Sequence, residues 1–251
     1  MRVLLLGGTT EGSGLARLLA DDSRFETTLS LAGRTSTPAA QAVPTRTGGF
    51  GGINGLVRFL EEAKIEAVVD ATHPYAAQMS AHAVTACREA GVALASFSRA
   101  PWTAQAGDIW RHVPDSGHAA TALGPDPRRV FLTIGRQELP AFAAAPQHHY
   151  LARLIESPDG QRLPPDLTLI AARGPFDLAA ETALMRDRRI EMVVSKNAGG
   201  QATYAKIAAA RTLGLPVIMI ARPDKPVGDV VHTAQEALQW LGHAQRSRRG
   251  V

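Results

Sequence analysis

The two halves of this chain carry the same succession of apolar runs, polar turns and Ala-rich segments, with an offset of about 125 residues. Residues 2–7 have a counterpart in residues 129–135, and residues 65–69 have one in residues 190–194. Short apolar runs that alternate with helical periods are typical of parallel βα units. The repeat therefore predicts two α/β domains with the same internal order.

The repeat extends to the end of each half, where residues 110–123 and 230–241 each predict a short strand followed by a helix. We place the boundary in the Pro- and Gly-rich residues 124–127, giving domains 1–125 and 126–251. The sequence leaves open whether each terminal strand–helix unit packs on its own half. The expected fold is two Rossmann-like parallel-sheet domains with a ligand cleft between them, lined by the carboxyl ends of the strands.

Composition removes several classes of function. Cys87 is the single cysteine, so a disulfide framework is excluded, and the histidines show no metal-ligand spacing, so no metal is expected. No apolar run approaches transmembrane length and no leader pattern precedes the first strand, which predicts a cytoplasmic protein. The net charge of +4 is dispersed apart from a basic tail at residues 246–249, so neither nucleic acid nor a membrane is an expected partner. Whether the chain is a monomer is left open.

The first βα turn has the composition of a diphosphate-binding loop. It follows the strand predicted at residues 3–6 and precedes a helix predicted at residues 13–20. Glycines allow the backbone to approach a phosphate, and a helix N-terminus offers N–H groups and a positive dipole end. Thr9 takes the place of the second glycine of the G-x-G-x-x-G pattern, which departs from that motif. The predicted cofactor residues are Gly7, Gly8, Thr9, Thr10, Glu11 and Gly12.

Two further glycine-rich turns complete the predicted cofactor site. The second strand ends at Gly33 and Arg34, where NAD-specific sites usually have an acidic residue. A guanidinium there favours the 2′-phosphate of NADPH, because it forms paired charge-assisted hydrogen bonds with phosphate. Gly49 lies in the four-glycine loop 48–52, which is either a lid, a cofactor wall or a passive loop.

The turn after the strand that ends at Asp70 would face the nicotinamide end of a dinucleotide. We assign Thr72 to the cofactor, and His73 and Tyr75 as catalytic proton donors or substrate-orienting groups. Capping of the next helix by Asp70 or Thr72, with packing of Tyr75, is the competing interpretation.

The corresponding turns of the second half are polar and basic. Several cations at one sheet edge repel one another without an anionic partner, which favours a polycarboxylate ligand over plain surface charge. The predicted substrate residues are Arg136, Lys196, Asn197, Gly199, Gly200, Thr203, Tyr204, Lys206 and Arg222, and Arg153 is a further candidate.

Taken together, these turns resemble the precorrin-6A reductase family of cobalamin biosynthesis. The resemblance is carried by residues 3–12, 48–52, 70–76, 133–139 and 194–200, and it extends to about residue 241. It implies NADPH-dependent reduction of the C18=C19 double bond of precorrin-6A, a tetrapyrrole, to precorrin-6B. It also implies that the cofactor supplies the chemistry and the protein supplies alignment and electrostatics.

Three alternatives stay open at this point. The first is the cobalt-containing substrate of the anaerobic branch. The second is a non-catalytic NADP(H)-binding sensor, which would not need a cationic second half. The third is an S-adenosylmethionine-dependent methyltransferase, which would have an acidic residue in the place of Arg34.

Overall fold

The strands of the described residues form two sheets of six, and every pair of neighbouring strands in them is parallel. This architecture is that of a computed structural model, which describes residues 1–33, 40–155, 158, 160 and 162–249, the side chains of 248 and 249 excepted. Parallel strands connected through helices are buried on both faces, which matches the near-continuous apolar runs in the sequence. The prediction of two parallel-sheet α/β domains is confirmed.

The first sheet is built mainly from the N-terminal part of the chain. Its strands are β1 (Arg2–Leu6), β2 (Glu26–Leu31), β3 (Thr45–Thr47), β4 (Ala67–Asp70), β5 (Ala93–Phe97) and β12 (Asp229–Val231). They lie in the order β12-β5-β4-β1-β2-β3. Four helices cover it: α1 (Thr10–Ala20), α2 (Ile53–Glu62), α3 (Ala77–Ala90) and α7 (Ala234–Arg249).

The second sheet repeats this arrangement. Its strands are β6 (Ile109–Val113), β7 (Arg129–Thr133), β8 (His149–Leu154), β9 (Leu167–Ala171), β10 (Met192–Lys196) and β11 (Pro216–Ile220). They lie in the order β6-β11-β10-β7-β8-β9. The helices of this part are α4 (Ser116–Ala122), a 3-10 helix (Arg136–Ala144), α5 (Leu178–Asp187) and α6 (Ala205–Thr212).

Both sheets have the Rossmann order 3-2-1-4-5-6, and in both the sixth strand comes from the other half of the sequence. The chain therefore divides into unit 1, Met1–Ala100 with Pro223–Val251, and unit 2, Pro101–Arg222. This division differs from the predicted boundary between residues 125 and 126. An edge strand pairs through backbone groups that any sequence offers. The pattern of residues 110–123 and 230–241 therefore did not indicate which of the two sheets each strand joins.

The core of unit 1 follows from the alternation of side chains along β1. Val3 and Leu5 pack with the helices α1 and α7, whereas Leu4 and Leu6 pack with α2 and α3. All four side chains are buried, as expected for a central strand of a parallel sheet. None of the helices in the described ranges combines the length and the apolar character needed to cross a lipid bilayer.

Two helix boundaries differ from the predictions in ways that affect the site. Helix α1 begins at Thr10 rather than residue 13, because the side chain of Thr9 caps it. Residues 76–90 have the period of a helix, for which the sequence predicts Pro74 in the first turn and Gly91 at the end. Helix α3 starts at Ala77 and no side chain caps it. Asp70 and Thr72 thus do not cap this helix. The predicted terminal glycine is confirmed, since Gly91 has a left-handed backbone with φ of 64°.

Candidate active site

Of the residues predicted to bind the cofactor, those at positions 7–12 and Thr72 lie at the topological switch point of the first sheet. Strands β1 and β4 are neighbours there, and their outgoing connections lead to opposite sides, to β2 and to β5. Parallel α/β sheets bind ligands in the crevice at the carboxyl ends of two such strands. The turns after β1 and β4 both border this position.

The turn after β1 has the shape of a phosphate cradle. Gly8 has φ of 113°, a conformation that residues with a Cβ rarely adopt, and a Cβ placed there would enter open space. Gly12 is not in a loop but in the first turn of α1, where a Cβ would lie 3.3 Å from the Cβ of Ala71. Helix geometry leaves the N–H groups of Thr10 and Glu11 without an intrahelical acceptor, so they suit an anion.

The hydroxyl group of Thr9 is used within the protein. Its Oγ1 accepts a hydrogen bond of 3.0 Å from the Gly12 N–H and donates one of 2.8 Å to the carbonyl oxygen of Ala71. A hydroxyl contact from Thr9 to a phosphate would need this proton. The residue instead shapes the cradle and joins it to the turn after β4.

A carboxylate in the first turn of α1 is neutralised by a neighbouring arginine. Glu11, predicted to contact the cofactor, forms an ion pair with Arg99, which follows β5. Both side chains are largely buried. Arg99 thus reduces the repulsion between this carboxylate and an anion at the helix N-terminus.

The glycine loop 48–52 is held by Arg46, a residue that the sequence analysis did not single out. Its guanidinium donates to Ser30 Oγ at 2.7 Å and to the carbonyl oxygens of Gly48 and Gly49, each at 3.0 Å. It also lies 3.9 Å from the ring centroid of Phe50. Burial lowers the pKa of Arg46. The arginine gives this loop a defined shape, which is compatible with a cofactor wall.

Gly33 lies beside this loop, whereas Arg34 lies outside the described residues. Gly33 has φ of 71°, and a Cβ on it would be 3.4 Å from the backbone of Gly48. The ends of β2 and β3 therefore approach closely at this point. The phosphate-binding role of Arg34 stays a prediction.

The turn after β4 contains a buried carboxylate that sequence reasoning had treated as a possible cap. Asp70 accepts hydrogen bonds from the Thr72 N–H at 3.0 Å, the Thr72 hydroxyl at 2.6 Å and the Ser80 hydroxyl at 2.5 Å. Lys225, from the segment that returns to unit 1, lies 3.2 Å from its Oδ2. Thr72 is thus fixed by Asp70, and Lys225 is a site residue that the sequence analysis missed.

His73 and Tyr75 lie close together in the same turn. Their ring centroids are 5.6 Å apart, and His73 Nδ1 accepts a hydrogen bond of 3.3 Å from the Tyr75 N–H. A neutral imidazole that accepts at Nδ1 carries its hydrogen on Nε2. Both side chains are partly exposed, so either can meet a ligand.

The switch point of the second sheet carries an ion pair in place of a glycine cradle. Lys196, the last residue of β10, pairs with Glu138 in the 3-10 helix after β7. A Cβ on Gly135 would lie 2.6 Å from Glu138 Oε2, so this glycine makes room for the pair. Arg136 lies in the same turn and is partly exposed. This turn has an ion pair and a second cation where the first sheet has a phosphate cradle. Binding of a carboxylate ligand by Lys196 and Arg136 stays a prediction.

Several other predicted substrate residues build the turn after β10. Asn197 accepts from the Trp102 N–H at 2.8 Å and donates to the Trp102 carbonyl at 3.0 Å. The indole N–H of Trp102 donates to the carbonyl oxygen of Gly200 at 3.0 Å. Arg222 donates to the carbonyl oxygens of Asn197 and Ala198 at 2.8 and 3.0 Å. These contacts give Asn197, Gly200 and Arg222 a role in shaping the turn.

Contacts within unit 2 are also made by Tyr204, Lys206 and Arg153. Tyr204 accepts a hydrogen bond of 2.5 Å from Arg211, and buried Lys206 lies 5.4 Å from the Trp102 ring. Gly199 is buried and Thr203 is partly exposed. Outside this turn, Arg153 forms a buried ion pair with Glu181 and lies 3.5 Å from the Phe176 ring centroid. Within the described ranges, no group of three metal-binding side chains occurs.

These features define a class of protein: two Rossmann-like α/β units, the first with a glycine-rich turn and the second with cations at the corresponding switch point. The family model described as "Precorrin-6x reductase CbiJ/CobK" matches residues 2–242. The chain belongs to this family.

Individual relatives agree with the family assignment. The chain is 55% identical to the precorrin-6A reductase of Rhodobacter capsulatus, over 100% of this chain and 99% of that protein. A solved structure of "CobK precorrin-6A reductase" superposes with a TM-score of 0.93 at 56% identity, covering 97% of each chain. The cobalt-precorrin-6A reductase of Salmonella typhimurium is 30% identical over 97% of this chain and 98% of its own length.

Proposed function

We propose that this chain is a cytoplasmic NADPH-dependent reductase that saturates the C18=C19 double bond of precorrin-6A to give precorrin-6B in cobalamin biosynthesis. The observation that carries the proposal is a glycine cradle at a Rossmann switch point in a chain that matches a precorrin-6A reductase along its full length. The cations of unit 2 supply partners for the carboxylate arms of a tetrapyrrole.

A dinucleotide fits the residues of unit 1. A Cβ on residue 8 would enter open space, so the glycine leaves that space to a ligand. The N–H groups of Thr10 and Glu11 suit a diphosphate. Gly49 and the turn at Thr72 offer further contacts with its two nucleosides. The preference for NADPH over NADH rests on Arg34 and is part of the proposal, because that residue lies outside the described ranges.

NADPH bound to unit 1 would supply a hydride to one carbon of the conjugated system. The neighbouring carbon then takes up a proton, and the residues suited to hold it are His73 and Tyr75. Unit 2 orients the substrate through Lys196 and Arg136, while Asn197, Gly200 and Arg222 keep their turn in shape.

The metal-free tetrapyrrole is the favoured substrate. The chain shares 55% identity with a protein named for precorrin-6A and 30% with one named for cobalt-precorrin-6A, each compared over nearly its whole length. The two substrates share the same reacting bond and the same carboxylate arms. A preference for one of them would therefore arise from the centre of the macrocycle, where the cobalt is bound.

The test follows oxidation of NADPH at its near-ultraviolet absorbance band when precorrin-6A is added to the purified chain. The expected result is one NADPH consumed for each tetrapyrrole reduced, with NADH and the cobalt-containing substrate much less effective. Binding of NADPH with no turnover of either tetrapyrrole would contradict the reductase function and support the sensor function.

A further inference from the structure

Lys225 brings a positive charge to the carboxyl end of β4 from a distant part of the sequence. Its Nζ lies 3.2 Å from Oδ2 of Asp70 and 3.3 Å from Oγ1 of Thr72. The lysine side chain is 15% exposed and that of Asp70 is 1% exposed, so the pair is shielded from water. Ion pairs in such surroundings are weakly screened by salt.

The surroundings of Asp70 make this lysine its charge partner. The other groups that contact the carboxylate are neutral donors, from Thr72 and Ser80. In the part of the chain that the structure describes, Lys225 is the cation within ion-pair distance of Asp70. Without Lys225, three hydrogen bonds alone would stabilise the buried negative charge of Asp70.

The position of Asp70 gives this charge a functional consequence. Asp70 is paired in register with Leu6, the residue before Gly7. The residue after it, Ala71, contacts Thr9 and Gly12 of the cradle, so Asp70 lies one residue from the cradle contact, at the same end of the sheet. A dinucleotide brings at least two negative charges to that place, and an uncompensated carboxylate would repel them. The carboxylate of Glu11, in the first turn of α1, is likewise paired with a cation, Arg99.

We propose that Lys225 is a cofactor-positioning residue: by neutralising Asp70 and holding Thr72, it makes the crevice between β1 and β4 accept a polyanionic dinucleotide. The proposal rests on NADPH being the ligand of unit 1. It assigns a part of the cofactor site to the segment that follows unit 2 in the sequence, near the C-terminal end of the chain.

The test measures binding of NADPH without tetrapyrrole, by fluorescence titration, together with the thermal midpoint of each variant. Lys225→Met should weaken NADPH about tenfold or more, because Asp70 then faces the cofactor without a counter-charge. Asp70→Asn should lower the thermal midpoint but bind NADPH at least as tightly as the unaltered chain. The double variant, with both charges removed, should recover NADPH affinity to within about threefold. Lys64→Met makes the same substitution at the opposite end of β4 and should leave NADPH binding unchanged.

Two results would overturn the role of Lys225. One is an NADPH affinity of Lys225→Met equal to that of Lys64→Met. The other is a loss of affinity in Asp70→Asn as large as that in Lys225→Met, which would show that the pair acts through stability alone. If Lys225→Met does not fold, Asp70→Asn and the double variant still decide the matter. Absence of NADPH binding by the unaltered chain would overturn both proposals, whereas binding without turnover would overturn the reductase proposal alone.

Discussion

The hydroxyl group of Thr9 donates a hydrogen bond of 2.8 Å to the carbonyl oxygen of Ala71, and so joins the turns after β1 and β4. The same oxygen accepts from the N–H of Gly12 and caps helix α1. A single side chain thus fixes both walls of the crevice where a dinucleotide would bind. The stability of unit 1 and its affinity for cofactor are therefore linked through this residue.

Thr9→Val removes both hydrogen bonds with little change of shape. We expect a loss of about 1–2 kcal/mol in the free energy of unfolding and weaker binding of NADPH, because the cap and the link to Ala71 are lost together. Urea denaturation and cofactor titration measure the two effects. Thr9→Ser keeps the hydroxyl and serves as the control. Unchanged stability in Thr9→Val would show that neither bond matters.

Arg34 is predicted to bind the 2′-phosphate of NADPH. Arg34→Ala should weaken NADPH by about 10- to 100-fold and affect NADH far less, since charge-assisted hydrogen bonds to the extra phosphate are lost. Titration with both cofactors measures the ratio. Arg17→Ala removes an exposed arginine of the same unit and should not alter this ratio. An equal loss of affinity for the two cofactors would show that Arg34 does not bind the 2′-phosphate.

Lys196 is predicted to bind a carboxylate arm of the substrate. Lys196→Ala should raise KM for the tetrapyrrole about tenfold and leave the Kd of NADPH unchanged, because the lysine belongs to the second sheet. Steady-state kinetics and cofactor titration separate these quantities. Lys64→Ala is the control for loss of a positive charge. A rise in the Kd of NADPH without a rise in KM would contradict this assignment.

His148 makes the stability of unit 2 depend on pH. Burial lowers its pKa from the ordinary value of 6.5, with smaller contributions in the same direction from the charges of Arg128 and His149. The unfolded chain then takes up a proton at a higher pH than the folded one, so stability falls as the pH drops below 6.5. Denaturation over a pH series should show this decline. In His148→Leu, the loss of stability at low pH should be smaller. An identical loss in that variant would show that other groups cause the pH dependence.

Much of the fold could be predicted because local pattern and tertiary packing agree. The central strands are continuous apolar runs bounded by turns, and Gly91 ends its helix in the predicted way. The partner of β6 and of β12 could not be predicted. Both are edge strands with exposed residues, and either sheet offers the same backbone hydrogen bonds.

The sequence predicted which turns follow the strands, but it did not predict the contacts made within those turns. The turns could be predicted because parallel strands place their carboxyl ends at one edge of a sheet. The sequence did not indicate Lys225 and Arg99 as site residues. Their contacts are with Asp70 and Glu11, which lie far from them in the sequence. Asn197 was assigned to the substrate, yet its amide binds the backbone of Trp102.

The origin of the sixth strands also has a consequence for synthesis of the protein on the ribosome. Unit 2 is one uninterrupted stretch, so all of its strands are available once Arg222 has been made. Unit 1 receives β12 only afterwards, although its other strands emerge earliest. Until then the outer edge of β5 lacks its neighbour and can pair with another nascent chain. The first unit to start folding is thus the last to be completed.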